Sequence, residues 1–132
     1  GFELTVSTDT DADNVALLID RDAVMQILMN LVDNSLKFSK NASYKMISIE
    51  LRVNNGDMYL AVRDYGPGIP ASEMKKVFQE FYRVENEMTR TTKGTGIGLS
   101  MVKKLCALSN MKIEIENANP GLRTKIHFPP MV

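Results

Sequence analysis

The chain divides into stretches of helical spacing and stretches of strict alternation. Val24, Ile27, Leu28 and Leu31 recur at intervals of three and four, and Ser35 continues the same face. That pattern predicts an amphipathic helix from Arg21 to about Ser39. Asp20 stands just before it, where a carboxylate can cap free backbone N–H groups. Upstream, Val15–Ile19 reads as a short buried strand. Ile47, Ile49, Leu51 and Val53 alternate with polar residues, and so do Met58, Leu60 and Val62. Between these runs lies Asn54-Asn55-Gly56-Asp57, whose Asn-Gly pair tolerates positive φ and predicts a tight hairpin. A short helix is expected at about Glu73 to Phe81 and a longer one from about Ile97 to Ser109. Strands at Lys112–Glu116 and Leu122–Phe128, joined around Asn119-Pro120-Gly121, close the chain. The class is α+β: a mixed, mostly antiparallel sheet of about five strands with about three helices on one face.

Composition narrows the function classes. A length of 132 residues suits a single domain with one core. Sixteen basic and sixteen acidic residues cancel, so the overall charge gives no support for nucleic acid or an anionic membrane as partner. Any phosphate chemistry must come from a local site. No apolar run is long enough to span a membrane, and Gly1-Phe2-Glu3-Leu4 does not resemble a signal peptide. A start at Gly1 without an initiator Met fits a piece of a longer protein. Cys106 is the only cysteine, which excludes an internal disulfide and favours a reducing, cytoplasmic setting. Its neighbours Val102 and Leu105 mark it as a core residue.

Three constellations carry possible chemistry. Asp64 shares strand parity with Met58, Leu60 and Val62, so it continues the buried face. A buried carboxylate needs hydrogen-bond donors; an Arg, backbone amides or the exocyclic amine of a bound base would serve. Gly66 and Gly68 follow it in Asp64–Pro70, DYGPGIP, and could let a flat ligand approach the backbone, while Pro67 and Pro70 stiffen the turn. On the first helix, Gln26, Asn30, Asp33, Asn34 and Lys37 fall within an arc of roughly 100° opposite the apolar face. The amide oxygens of Asn30 and Asn34 suit a hard cation such as Mg²⁺, and Lys37 adds charge for a phosphate; a merely solvated face has the same pattern. Lys93-Gly94-Thr95-Gly96-Ile97-Gly98-Leu99 opens the second long helix. A glycine-rich helix start presents N–H groups and the positive end of the dipole to an anion. It lacks the Walker GxxxxGK[ST] spacing.

These elements, in this order, resemble the ATP-binding catalytic domain of bacterial sensor histidine kinases, within the wider family that includes gyrase, Hsp90 and MutL. Asp20 to Lys40 resembles the N box, Asp64 to Pro70 the G1 box, Val77 to Arg83 the F box and Gly94 to Leu99 the G2 box. The resemblance spans about Val15 to Phe128 and implies a two-layer α/β sandwich, the Bergerat fold, forming one ATP-binding domain over residues 1–132. It implies that Asp64 accepts from the adenine amino group, that Asn30 and Asn34 ligate Mg²⁺ beside the phosphates, and that Lys37 reaches the phosphates. It further implies that Phe38, Gly66, Gly68 and Ile69 line the base side. Gly94, Thr95, Gly96, Ile97, Gly98 and Leu99 would cradle the triphosphate, with Arg83 and Lys93 on a lid at 83–95.

In gyrase-like, Hsp90-like and MutL-like relatives, the position matching Asn30 is a water-activating glutamate. An amide cannot act as a base at neutral pH, so Asn30 favours transfer of the γ-phosphoryl to a histidine over hydrolysis. The only histidine, His127, lies on a polar strand face with Arg123 and Lys125, which excludes it as the acceptor. The resemblance therefore implies a histidine on a separate dimerisation domain, ATP and ADP as ligands, a response regulator downstream, no nucleic acid and no direct membrane contact. The isolated domain would be monomeric and nearly inert. A nucleotide-binding scaffold without catalysis and a self-contained ATPase stay open as alternatives.

Overall fold

A computed structural model describes residues 1–8, 20–54, 57–78 and 98–129. The elements run β1 (Glu3–Thr8), α1 (Arg21–Phe38), β2 (Met46–Asn54), β3 (Asp57–Arg63), α2 (Gly98–Leu108), β4 (Lys112–Asn117) and β5 (Leu122–His127). The five strands form one sheet in the order β1-β2-β3-β5-β4. β1 pairs with β2 in parallel, and every other pair is antiparallel. This is the mixed α+β sheet that the alternation predicts.

α1 begins where the capping residue predicts: the Asp20 carboxylate accepts from the N–H groups of Asp22 and Ala23 at 2.9 and 3.4 Å. Its buried residues, Ile27, Leu31 and Ser35, lie one turn apart and press onto the sheet. Ile47, Val62 and Ile126 meet them from the strands, and Val102 and Cys106 join from α2. The inward parity of β2, β3 and β5 thus builds one core beneath both helices. Among the described residues no helix is long and apolar enough to cross a membrane.

Two differences from the sequence expectation stand out. The segment expected to be a helix near Glu73–Phe81 contains two 3₁₀ turns, Ala71–Glu73 and Lys76–Phe78; positions 79–81 lie outside the described residues. The N–H groups of Glu73 and Met74 reach back only three residues, to Pro70 and Ala71. Val77 enters the core from the second turn, and Met74, after the first, packs against it from the edge. Second, β1 has no counterpart in the alternation reading, because all six of its residues are exposed. Leu4 and Val6 pair in register with Ile47 and Ile49 but are exposed, with no helix over them among the described residues, so they leave no buried stripe. The strand expected at Val15–Ile19 lies outside the described residues.

Cys106 is buried within α2, and burial pushes its thiol up to about 11. A thiol reagent at pH 8 is therefore expected to label the native chain at least roughly a hundredfold more slowly than the chain in urea. Equal rates would show that this core does not close over α2.

Candidate functional site

The site begins at the end of β3, where strand parity carries Asp64 inward to 1% exposure. Its backbone N–H donates to the Leu122 carbonyl at 3.0 Å, extending the β3–β5 ladder by one residue. Its Oδ1 accepts from the N–H groups of Gly66 at 2.9 Å and Leu122 at 3.2 Å. Its Oδ2 is buried and has no partner among the described residues. Burial pushes the Asp64 carboxyl above its ordinary value, and the two N–H groups and the Arg63 guanidinium pull the other way. Backbone amides are thus half of the answer to why a carboxylate is tolerated here. Oδ2 is left as a buried acceptor without a partner among the described residues.

The turn after Asp64 is wedged between two parts of the chain. A Cβ on Gly66 would lie 2.6 Å from the Phe38 carbonyl oxygen at the end of α1. Gly68 has φ +75° and abuts the Asn117 amide. Gly66 is thus required by a close backbone contact, and Gly68 by its positive φ and the Asn117 side chain packed against it. Ile69 is buried in the core, and its N–H and C=O are both held by the Asn117 side chain, at 2.9 and 2.8 Å. Sequence reasoning missed Asn117, Gly121 and Leu122 as site residues. Only the Gly in Asn119-Pro120-Gly121 left a trace, as a turn signal.

α1 ties this turn to α2. Phe38, at its C-terminal end, is half-buried against the core, and its carbonyl meets Gly66. Asn30 lies on the same helix and donates from Nδ2 to the Met101 sulfur at 3.8 Å; Gln26 does so at 3.9 Å. Met101 belongs to the first turn of α2, next to Gly98 and Leu99. Leu99 itself is a core residue. Asn34 is one turn beyond Asn30, with Nδ2 buried and without a partner among the described residues. Lys37 forms an i,i+4 ion pair with Asp33 at 3.0 Å, a spacing the sequence contains, so a phosphate would compete with that carboxylate. The pair is exposed on both sides and so weakly bound. α1 thus carries Asn30, Asn34 and Phe38, and meets the start of α2 at Asn30 and the Asp64–Gly66 turn at Phe38. Arg83, Lys93, Gly94, Thr95, Gly96 and Ile97, with the lid at 83–95, lie outside the described residues.

His127 is at the other end of the sheet, paired with Tyr59 near the start of β3. Its ring nitrogens face Asp57 at 3.1 Å and Glu114 at 3.3 Å. The polar face that carries His127 is a set of side-chain pairs, and His127 is engaged in it far along the strand from Asp64.

Residues 19–131 match the family described as histidine kinase-, DNA gyrase B-, and HSP90-like ATPase. The sensor histidine kinase WalK of Bacillus subtilis is 39% identical over 87 residues, covering 66% of this chain and 14% of that protein. The sensor histidine kinase YkoH of the same organism is 30% identical over 125 residues, covering 95% of this chain and 26% of that protein. The chain therefore spans about a quarter or less of the length of these relatives. Among solved structures, the nucleotide-free catalytic domain of histidine kinase ThkA superposes with a TM-score of 0.77 at 26% identity, covering 98% of this chain and 79% of that one. A match that takes in every described element except β1 means that this chain belongs to the histidine kinase-, DNA gyrase B- and HSP90-like ATPase family.

Proposed function

We propose that the chain is the ATP-binding catalytic module of a two-component sensor histidine kinase, and that it passes the γ-phosphoryl of ATP to a histidine on a separate dimerisation domain. The observation that carries this reading is the buried Asp64 Oδ2, an acceptor without a partner among the described residues, beside an oxygen held by two backbone N–H groups. An adenine amino group would satisfy it. Relatives named as sensor histidine kinases support the same assignment.

The donor set fits Mg²⁺ as the accompanying ion. With the Asn30 Nδ2 turned to Met101, its Oδ1 is left as an oxygen ligand, and Asn34 lies one turn away. Such an ion would be held through few protein oxygens, with water and phosphate completing its shell. When bound, Mg²⁺ supplies neutralising charge at the triphosphate. Asp64 fixes the base, Lys37 and the candidate lid cations Arg83 and Lys93 offset phosphate charge, and Asn30 offers no base to activate water. Phosphoryl transfer asks mainly for such positioning and electrostatics. The nucleophile is a histidine outside this module, and a response regulator acts downstream as a separate partner. The module itself acts as a monomer in the cytoplasm.

The test supplies the parent's acceptor-histidine domain in trans with labelled ATP and Mg²⁺. Acid-labile label is expected on that domain. Asn30→Asp should slow the transfer at least about tenfold, the equivalent of ~1.4 kcal/mol in the barrier. Steady phosphate release by the isolated chain, with no label transferred, would instead identify a self-contained ATPase.

A further inference from the structure

We infer that Asn117, at the end of β4, is a positioning residue for the base side of the nucleotide site; this rests on the nucleotide-binding reading above. Asn117 lies 48 positions from Ile69, yet its side chain takes both backbone polar groups of Ile69. Oδ1 accepts from the N–H at 2.9 Å and Nδ2 donates to the C=O at 2.8 Å. An amide carries a donor and an acceptor side by side, so it can pair with one residue's backbone as a neighbouring strand would. A hydroxyl or a carboxylate cannot fill both roles with this geometry. The clamp closes on the turn that begins at Asp64, and Gly68 packs directly against the same amide.

The register shows why this matters for Asp64. Asn117 pairs with Leu122 across β4 and β5, and the Leu122 N–H is one of the two donors on Asp64 Oδ1. One hairpin therefore fixes the Asp64–Pro70 turn at both ends: the Leu122 backbone holds the carboxylate, and the Asn117 side chain holds Ile69. Without the clamp, the Ile69 polar groups lose their partners and the turn is free to shift relative to Oδ2. Asn117 itself is exposed, so its role is to hold a shape, not to fill the core.

The inference is tested by titrating adenosine, ADP and ATP into the wild-type chain and into Asn117→Ala and Asn117→Asp, at a temperature where melts show all three folded. Each variant is expected to lose roughly tenfold in affinity, and by the same factor for all three ligands, because only the base side is disturbed. A purely structural role would lower the melting temperature and leave these affinities unchanged. Wild-type affinities in both variants, or a loss confined to ATP, would overturn the proposal. Hydrogen exchange at the Ile69 N–H of the wild-type chain gives a second reading that needs no variant: protection is expected, and free exchange would overturn the clamp. A wild-type chain that binds none of the three ligands would sink the nucleotide reading and this inference with it, whereas wild-type binding with indifferent variants sinks this inference alone.

Discussion

Asp64→Asn is expected to weaken ATP binding by roughly a hundredfold, ~3 kcal/mol, and to leave the fold standing. An Asn side chain at 64 can keep its oxygen on the N–H groups of Gly66 and Leu122, where Asp64 Oδ1 now accepts. Its NH₂ then replaces Oδ2, the oxygen without a partner among the described residues. A donor would face the adenine amine, itself a donor. Flipping the amide does not rescue binding, since the NH₂ would then meet two backbone N–H groups. Losing a hydrogen bond to a charged acceptor costs about 1.5–3 kcal/mol, and a mismatched buried donor adds to that. Calorimetric titration of ATP measures the loss; an affinity within twofold of wild type would remove Asp64 from the base site.

The same variant has a pH signature. Burial raises the Asp64 pKa above its ordinary value, with Gly66, Leu122 and Arg63 only opposing it. The folded-state value is therefore above the unfolded one. Stability from the protonated form is complete below the unfolded pKa and is lost as pH rises through the folded pKa. At neutral pH the ionised carboxylate weighs against folding, and an amide does not. Ligand-free Asp64→Asn should thus unfold in urea at an equal or higher midpoint than wild type at pH 7. Its advantage should shrink as pH falls into the acid range. A fixed difference at every pH would mean that the charge is not the cause.

What the sequence reveals here follows from how local each interaction is. α1 and its Asp20 cap are fixed by neighbours within a few positions, so spacing alone finds them. The burial of Asp64 follows from strand parity, another local rule. The antiparallel pairing of β2 with β3 is equally plain, with Asn54 opposite Asp57. Asn117 escapes because its partner is remote in sequence, and no periodicity announces a side chain that pairs with a distant backbone. β1 escapes because it is an uncovered edge whose alternation buries nothing. Gly66 and Gly68 are recognised as special but explained by a ligand, whereas the close contacts that require them come from the ends of α1 and β4. Lys37 is read as charge for a phosphate, and the Asp33 that pairs with it four residues earlier is equally legible in the sequence.

Gly121 carries the largest expected effect on stability. Its φ is +92°, a conformation that side chains with a Cβ rarely adopt, at a cost of about 1–3 kcal/mol. A Cβ there would also overlap the Asp64 carbonyl oxygen and lie 2.6 Å from the Asp64 carbonyl carbon and 2.9 Å from the Tyr65 Cα. These are backbone atoms and cannot swing aside as a flexible side chain can. Relief requires the hairpin to move away from β3, which pulls on the Asp64 N–H bond to the Leu122 carbonyl and on the Leu122 N–H bond to Asp64 Oδ1. Overpacking of this kind adds about 1–3 kcal/mol. Gly121→Ala is therefore expected to lose roughly 2–5 kcal/mol, a large share of the ~5–15 kcal/mol that holds a domain together. Whatever fraction stays folded should bind ATP weakly, because the carboxylate has lost the Leu122 N–H, one of its two backbone donors. Gly66→Ala, with a nearest approach of 2.6 Å to one carbonyl oxygen and no positive φ, should lose less. Urea midpoints of the two variants give the order, and a Gly121→Ala midpoint equal to wild type would show that β5 does not hold Asp64 by close backbone contact.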